Sequence, residues 1–168
     1  MIVLGGCPGA GKTTAAHTLA RRLHNGVHLI TDRFFDFVPD LVDPSTPAAK
    51  TQNETIVSAY CAAARTYEAA GYQVVIDGVI GPWLLPQLRS ELESFTYVLL
   101  FADFDTAMAR IEGRGDNGSS IAGIVSRMHP QFTDAIVSED WRQPGYYVLH
   151  TTGLSCDEVS ASLADLVS

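Results

Sequence analysis

The sequence predicts a three-layer α/β fold, with a parallel sheet covered by helices on both faces. Three observations carry that expectation. Five short apolar runs alternate with amphipathic helical stretches along the 168 residues, which is the pattern of strand–helix–strand crossovers. Right-handed crossovers bring the C-terminal ends of such strands to one edge. A glycine-rich loop after the first run, Asp32 after the second and Asp77 at the end of the third all fall on that edge, where ligands of open α/β sheets bind.

The elements follow in order. Ile2-Val3-Leu4 reads as a short buried strand ending in a glycine-rich loop, Gly6 to Gly11. A helix is expected from Lys12, with Ala16, Leu19, Ala20 and Leu23 on one face, stopped by Asn25-Gly26. Val27 to Ile30 is the second strand, with Thr31-Asp32 at its end and a short helix starting at Arg33. Residues 38–46 are a loop, and Thr46-Pro47 reads as a cap and first helical position. The helix that follows runs through alanine-rich sequence to Ala70-Gly71, with Ile56, Tyr60, Ala63 and Tyr67 marking a face. Gln73 to Asp77 is the third strand. Gly81-Pro82 opens a helix to about Ser94, and Tyr97 to Phe101 is the fourth strand. Asp103 caps the next helix. Residues 113–120 form a polar glycine-rich loop, and a helix from about Ile121 to Met128 follows. Tyr146 to Leu149 is the fifth strand. Ser155 to Glu158 is a capping box ahead of a last helix carrying Val159, Leu163 and Leu166. The chain is expected to be one domain over residues 1–168, with a lid at about 113–130.

Composition narrows the function. A formal charge of −8 with only two lysines, Lys12 and Lys50, leaves no basic stripe for a long nucleic acid. No apolar run is long enough to span a bilayer, and the four apolar residues at the start lack the basic flank of a secretory signal. A cytoplasmic location is expected by default. Cys7, Cys61 and Cys156 are too far apart for a zinc site or a disulfide framework and are expected to be incidental thiols.

Gly6-Cys7-Pro8-Gly9-Ala10-Gly11-Lys12-Thr13 fits G-x-x-x-x-G-K-[ST] at every fixed position, between a strand and a helix. Glycines let the backbone wrap an anion. Successive N–H groups and the positive end of the helix then face the phosphates of ATP. Lys12 is expected to reach the β- and γ-phosphates, the Thr13 hydroxyl to bind Mg²⁺, and Thr14 to sit near the α-phosphate.

Other candidates lie on the same edge. Asp32 is the candidate base or hydroxyl-orienting group; the alternative is a cap on the helix at Arg33. Asp77 is expected near the metal, through a water, or against the acceptor. Arg110 and Arg114 stand one helical turn apart and can face the same site. Arg33 is a candidate for an anionic substrate, with a surface salt bridge as the equal alternative, and Arg127 is a candidate from the far side of the lid. Gln52 and Asn53 are placed in the acceptor cleft, and Trp83, Phe34, Phe35 and Phe37 are candidate walls. Asp36 is expected to be solvated, His17 to lie on a helix surface, and His129 and His150 to have no metal partner.

The loop through Thr14 resembles that of small P-loop kinases, a group that includes nucleoside monophosphate kinases, shikimate kinases and chloramphenicol phosphotransferase. Thr31-Asp32-Arg33 is similar to the place of the catalytic aspartate in chloramphenicol phosphotransferase and phage polynucleotide kinase. Val75-Ile76-Asp77-Gly78 and Arg110-Ile111-Glu112-Gly113-Arg114 resemble the strand-three and lid segments of nucleoside monophosphate kinases. The resemblance implies a five-stranded parallel sheet in order 2-3-1-4-5, Arg110 over the nucleotide base and Arg114 at the transferring phosphoryl group. It implies an ATP- and magnesium-dependent phosphotransferase acting on a small molecule. Residues 33–72 match no substrate site of these families, so the acceptor stays open.

Other readings fit less well. A guanine-reading switch lacks its Asn/Thr-Lys-x-Asp element, and an oligomeric AAA-type ATPase would end strand three in Asp-Glu where this chain has Asp77-Gly78. A 5′-hydroxyl nucleic acid kinase suits the loop but not the charge. A non-catalytic nucleotide-binding module would leave Asp32, Asp77 and the arginines without a purpose.

Overall fold

The computed structural model describes residues 1–113 and 118–167. Its strands are β1 (Ile2–Gly5), β2 (Gly26–Ile30), β3 (Gln73–Asp77), β4 (Thr96–Phe101) and β5 (Tyr146–His150). They form one parallel sheet in the order β2-β3-β1-β4-β5. The helices are α1 (Lys12–Arg22), α2 (Asp32–Phe35), α3 (Lys50–Ala69), α4 (Leu85–Glu91), α5 (Phe104–Glu112), α6 (Gly118–Ser138) and α7 (Cys156–Leu166). The α/β class and the strand order are as expected. No helix among the described residues is long and apolar enough to cross a membrane.

The strand sequences divide the core in two. Successive side chains point to opposite faces. Val3, Val74, Ile76, Tyr97 and Leu99 pack on one side with α3, α4 and α6 residues such as Tyr60, Leu88 and Phe132. Leu4, Val75, Val98 and Leu100 pack on the other with Ala16 and Leu19 of α1 and Val159 and Leu163 of α7. Both faces are covered, which is why the central strands are apolar throughout rather than alternating.

Helix ends follow local chemistry where a cap exists. The Asp103 carboxylate accepts a 2.7 Å bond from the Thr106 amide, and Ser155 and Glu158 make a reciprocal capping box at α7. Thr46 does not cap with its side chain; its hydroxyl donates to the Asp43 carbonyl, and Pro47 opens a single 3₁₀ turn before α3.

One helix face and two boundaries differ from expectation. The buried stripe of α3 is Ile56, Val57, Tyr60, Cys61 and Ala64, while Tyr67 is exposed and meets Tyr72 edge-on at 5.7 Å. α4 stops at Glu91, because Leu92 turns extended to bury its side chain. α6 runs on to Ser138 through Pro130, although a proline removes one helix bond and strains the residue before it. Tertiary contacts hold that region: Val125 and Phe132 are fully buried, the His129 ring bonds the Ala102 carbonyl at 2.9 Å, and Phe132 meets Trp83 at 5.0 Å.

The capping box at α7 is local and separable from the sheet. Ser155→Ala removes the side-chain acceptor for the Glu158 amide. A lost cap of this type costs about 1 kcal/mol, so Tm in a thermal melt should fall by roughly 2–4 °C; an unchanged Tm would show that α7 is held by packing alone.

Candidate functional site

The site grows out of the turn between β1 and α1. Gly9 and Gly11 have φ of 86° and 92°, in the left-handed region that favours glycine. A Cβ on Gly9 would stand 2.5 Å from the Ala107 carbonyl of α5, whereas one on Gly11 would meet nothing within 4 Å. Gly9 is therefore pressed against protein, and Gly11 opens outward. α1 starts at Lys12 with no side-chain cap, so its leading N–H groups and positive dipole end suit an anion. Lys12 is buried, and its ammonium donates to the Cys7 carbonyl at 3.0 Å, across the loop. Burial pushes the Cys7 thiol up to about 11 against the opposing pull of Lys12; it stays neutral and acts as packing.

Beneath the loop lies a chain of polar contacts. The Thr13 hydroxyl donates to Asp77 Oδ2 at 2.7 Å, and His28 Nε2 meets Asp77 Oδ1 at 2.5 Å. Strand pairing sets this up, since Asp77 lies beside Leu4 of β1 and Ile30 of β2. Because the Thr13 proton is committed to Asp77, the lone pairs of its oxygen remain for a cation. No cluster of three or more His, Cys, Asp or Glu ligands occurs among the described residues. That donor set fits Mg²⁺, which keeps waters and binds through a few protein oxygens plus phosphate. Asp77 is 1% exposed and lies under Thr13, away from the cleft lining, a place that suits the expected role near the metal better than one against the acceptor. His28 was missed because its role needs β2 paired to β3; a histidine inside an otherwise apolar strand was the available signal.

Among the described residues Arg110 is held by carbonyls and by the Thr151 hydroxyl. It donates to Gly9 O at 3.2 Å, Thr151 O at 2.9 Å and Leu154 O at 3.2 Å. Thr151, also missed, is fully buried and donates to the Ala10 carbonyl at 3.0 Å. Arg110, Gly11, Thr14 and Leu154 border a hollow of about 270 Å³ next to the phosphate loop.

A larger cleft of about 660 Å³ brings Gly9, Gly11, Lys12 and Thr13 together with Asp32. Asp32 is the first residue of α2 and not its cap; Thr31 takes that place, tied by its amide to Asp77 O at 2.9 Å. The Asp32 side chain reaches solvent at the cleft, yet the protein around its carboxyl is dense enough to raise it above the usual aspartate range. Burial is the main cause, opposed by the Lys12 ammonium and reinforced by the charges of Asp77 and Asp36.

The remaining candidates divide. Arg127, Asn53, Phe35 and Trp83 border the cleft. Arg33 is not among the residues that border it: it is exposed and pairs with Asp36 at 3.3 Å. Gln52 spans the Val42 amide and carbonyl and pins the 38–46 loop instead of pointing into the cleft. Phe34 packs on Tyr60, and Phe37 is 75% exposed. Arg114 and the lid residues 114–117 lie outside the described residues.

The family described as AAA domain matches residues 2–129. No curated protein matches the chain. Among solved structures, a sugar kinase from a Janibacter species is similar at 15% identity and TM-score 0.70, over 99% of this chain and 92% of that one. A tunicamycin resistance protein from Deinococcus radiodurans is similar at 18% identity and TM-score 0.62, over 99% and 94%. Shikimate kinase from Acinetobacter baumannii, in complex with shikimate, is similar at 16% identity and TM-score 0.58, over 99% and 91%. At these identities the likeness is one of fold.

The raised Asp32 carboxyl has a stability consequence. Its contribution to folding is fully present below the unfolded value of 3.8 and is lost as pH rises through the higher folded value. At neutral pH the charge is therefore a cost, and Asp32→Asn should raise Tm at pH 7 while leaving it unchanged at low pH. A fall in Tm at pH 7 would instead identify Asp32 as a support for α2.

Proposed function

The chain belongs to the AAA domain family, and on that premise we propose that it is a small-molecule kinase moving the γ-phosphate of ATP to an acceptor hydroxyl. The observation that carries this reading is one cleft with the phosphate loop on one wall and Asp32 on another. The family name is shared with oligomeric ATPases; a β3 ending in Asp77-Gly78, without Asp-Glu, favours transfer to an acceptor over that reading.

The roles follow from the chemistry of each group. The amides of the loop and the uncapped start of α1 hold the phosphates. Lys12 offsets charge on the β- and γ-phosphates. Thr13, oriented by Asp77 and His28, offers its oxygen to Mg²⁺. When bound there, the ion neutralises charge that develops on the phosphate oxygens. Thr14 is assigned to the α-phosphate, and the hollow that Arg110 and Leu154 border is assigned to the base. Asp32 accepts a hydrogen bond from the acceptor hydroxyl and aims its oxygen at the γ-phosphorus. The new O–P bond forms as the bond to ADP breaks, and the hydroxyl proton passes to Asp32 or water. Phosphoryl transfer has a loose transition state, so holding the nucleophile in line counts for more than strong basicity. Arg114 is assigned to charge on the transferring group, and Arg127 to the acceptor side of the cleft.

Two substitutions separate the two walls. Lys12→Ala should weaken magnesium-dependent ATP binding, read by calorimetry, by roughly ten- to a hundredfold, the worth of a charge-assisted bond. Asp32→Ala should keep ATP affinity and reduce acceptor-dependent ADP release by roughly 10²-fold or more. Unchanged ADP release in Asp32→Ala would remove Asp32 from the reaction, and no ATP affinity in the unaltered protein would remove the kinase reading.

A further inference from the structure

The phosphate loop is fastened from outside by the turn that follows β5. The Thr151 hydroxyl, on a fully buried residue, donates to the Ala10 carbonyl at 3.0 Å. Phe101 O also lies 3.4 Å from that hydroxyl, but it already accepts the Thr151 amide at 2.7 Å, so the proton has its better partner in the loop. From the last turn of α5, Arg110 donates through one terminal nitrogen to Gly9 O at 3.2 Å and to the Thr151 hydroxyl at 3.3 Å. Its other terminal nitrogen donates to Thr151 O at 2.9 Å and Leu154 O at 3.2 Å. Accepting from Arg110 while donating to Ala10 polarises the Thr151 hydroxyl and strengthens its bond to the loop. Two successive loop carbonyls, Gly9 and Ala10, are thus held across 101 and 141 residues of chain.

A peptide group is planar and trans, so its carbonyl and the amide of the next residue point opposite ways. Fixing Ala10 O therefore fixes the Gly11 amide on the side away from Thr151. Gly11 borders both the large cleft and the smaller hollow, the run along which a triphosphate would lie. Fixing Gly9 O does the same for the Ala10 amide. That amide donates to Cys7 O at 3.2 Å, the carbonyl that also takes the Lys12 ammonium at 3.0 Å. The brace reaches the charge of the loop as well as its amides. This loop has reason to be braced. Gly9 and Gly11 carry left-handed φ of 86° and 92°, and glycine gives up more freedom than any other residue when it is ordered. A loop ordered in advance removes that loss from the binding step.

We propose that Thr151 and Arg110 are positioning residues for the triphosphate: they hold two carbonyls of the phosphate loop outward and so keep its amides and Lys12 aimed at the phosphates. The inference rests on the reading of this loop as an ATP site and gives these two side chains a part in it beyond the base hollow. Neither needs to touch the nucleotide. Thr151 acts through the Ala10 peptide, and Arg110 through Gly9 O and the Thr151 hydroxyl.

Calorimetry on the full chain with Mg²⁺ tests it with two ligands: ATP, and tripolyphosphate, which has the phosphates but no base. Each protein is titrated well below its Tm, so that lost stability alone leaves affinity unchanged. Thr151→Val keeps the shape and removes the hydroxyl. It should weaken both ligands about tenfold, as for one lost buried hydrogen bond, and Thr151→Ser should restore both. Arg110→Met should also weaken tripolyphosphate about tenfold, by the same factor at low and high salt, because its partners in the brace are neutral. Arg110 is half-buried, and its variant carries the test alone should Thr151→Val fail to fold. Unchanged tripolyphosphate affinity in the folded variants would overturn the inference. So would a loss confined to ATP, which would put Arg110 on the base alone, or an Arg110→Met loss that disappears at high salt, which would mark direct charge contact with the phosphates. The unaltered protein is titrated alongside. No affinity for ATP would sink the kinase reading itself, whereas affinity for ATP with none for tripolyphosphate would sink only the brace.

Discussion

The hydrogen bond from Thr13 to Asp77 ties the first turn of α1 to the end of β3, and the site is arranged around it. It exists because β1 and β3 are adjacent and parallel, with Leu4 beside Asp77. The same pairing sets β2 next to β3, which brings His28 to the other oxygen of Asp77 and Asp32 to the edge of the cleft. One strand order thus orients the Thr13 hydroxyl, the carboxylate behind it, and the carboxylate across from it. A change of register by one residue would turn Asp77 to the opposite face and undo all three.

This arrangement is not the most stable use of the same residues. Lys12 is buried at the mouth of the loop, Asp32 is crowded until its charge is disfavoured, and Tyr60 keeps a buried hydroxyl without a partner. The Asp32 charge and the Tyr60 hydroxyl are unfavourable for the empty fold. Such costs concentrate at functional sites, which is in keeping with the proposed cleft. The stability that offsets them comes from elsewhere: two apolar clusters on either side of the sheet, and the buried contacts that carry α6 through Pro130.

Much of the fold was legible because its signals are local. Strand runs, the glycine loop and the Ser155 box each depend on residues close in sequence, and the strand-end positions of Asp32 and Asp77 followed from them. What was not legible depends on distance along the chain. His28 reaches Asp77 across 49 residues, and Thr151 reaches Ala10 across 141; neither has a motif. Gln52 looked like a cleft residue from its polarity, but its amide matches the backbone pair of Val42 and is used there. For Arg33 the sequence left an anion contact and a surface salt bridge open, and only the fold shows Asp36 one turn on as its neighbour. The α6 boundary failed because a proline is a strong local signal that buried packing can override. The orphaned hydroxyl of Tyr60 could only be found by counting partners in three dimensions, since in the sequence Tyr60 is one more apolar position on α3.

The central claim is that the triphosphate and the acceptor hydroxyl meet between the phosphate loop and Asp32. A crystal structure of the protein with magnesium and a non-hydrolysable ATP analogue tests it most directly. The account predicts phosphates threaded along the amides of residues 9–14, the metal on the Thr13 oxygen, and the terminal phosphorus facing the Asp32 carboxylate across a gap the size of one hydroxyl. A nucleotide seated elsewhere, or an Asp32 carboxylate turned away from the terminal phosphate, would contradict it.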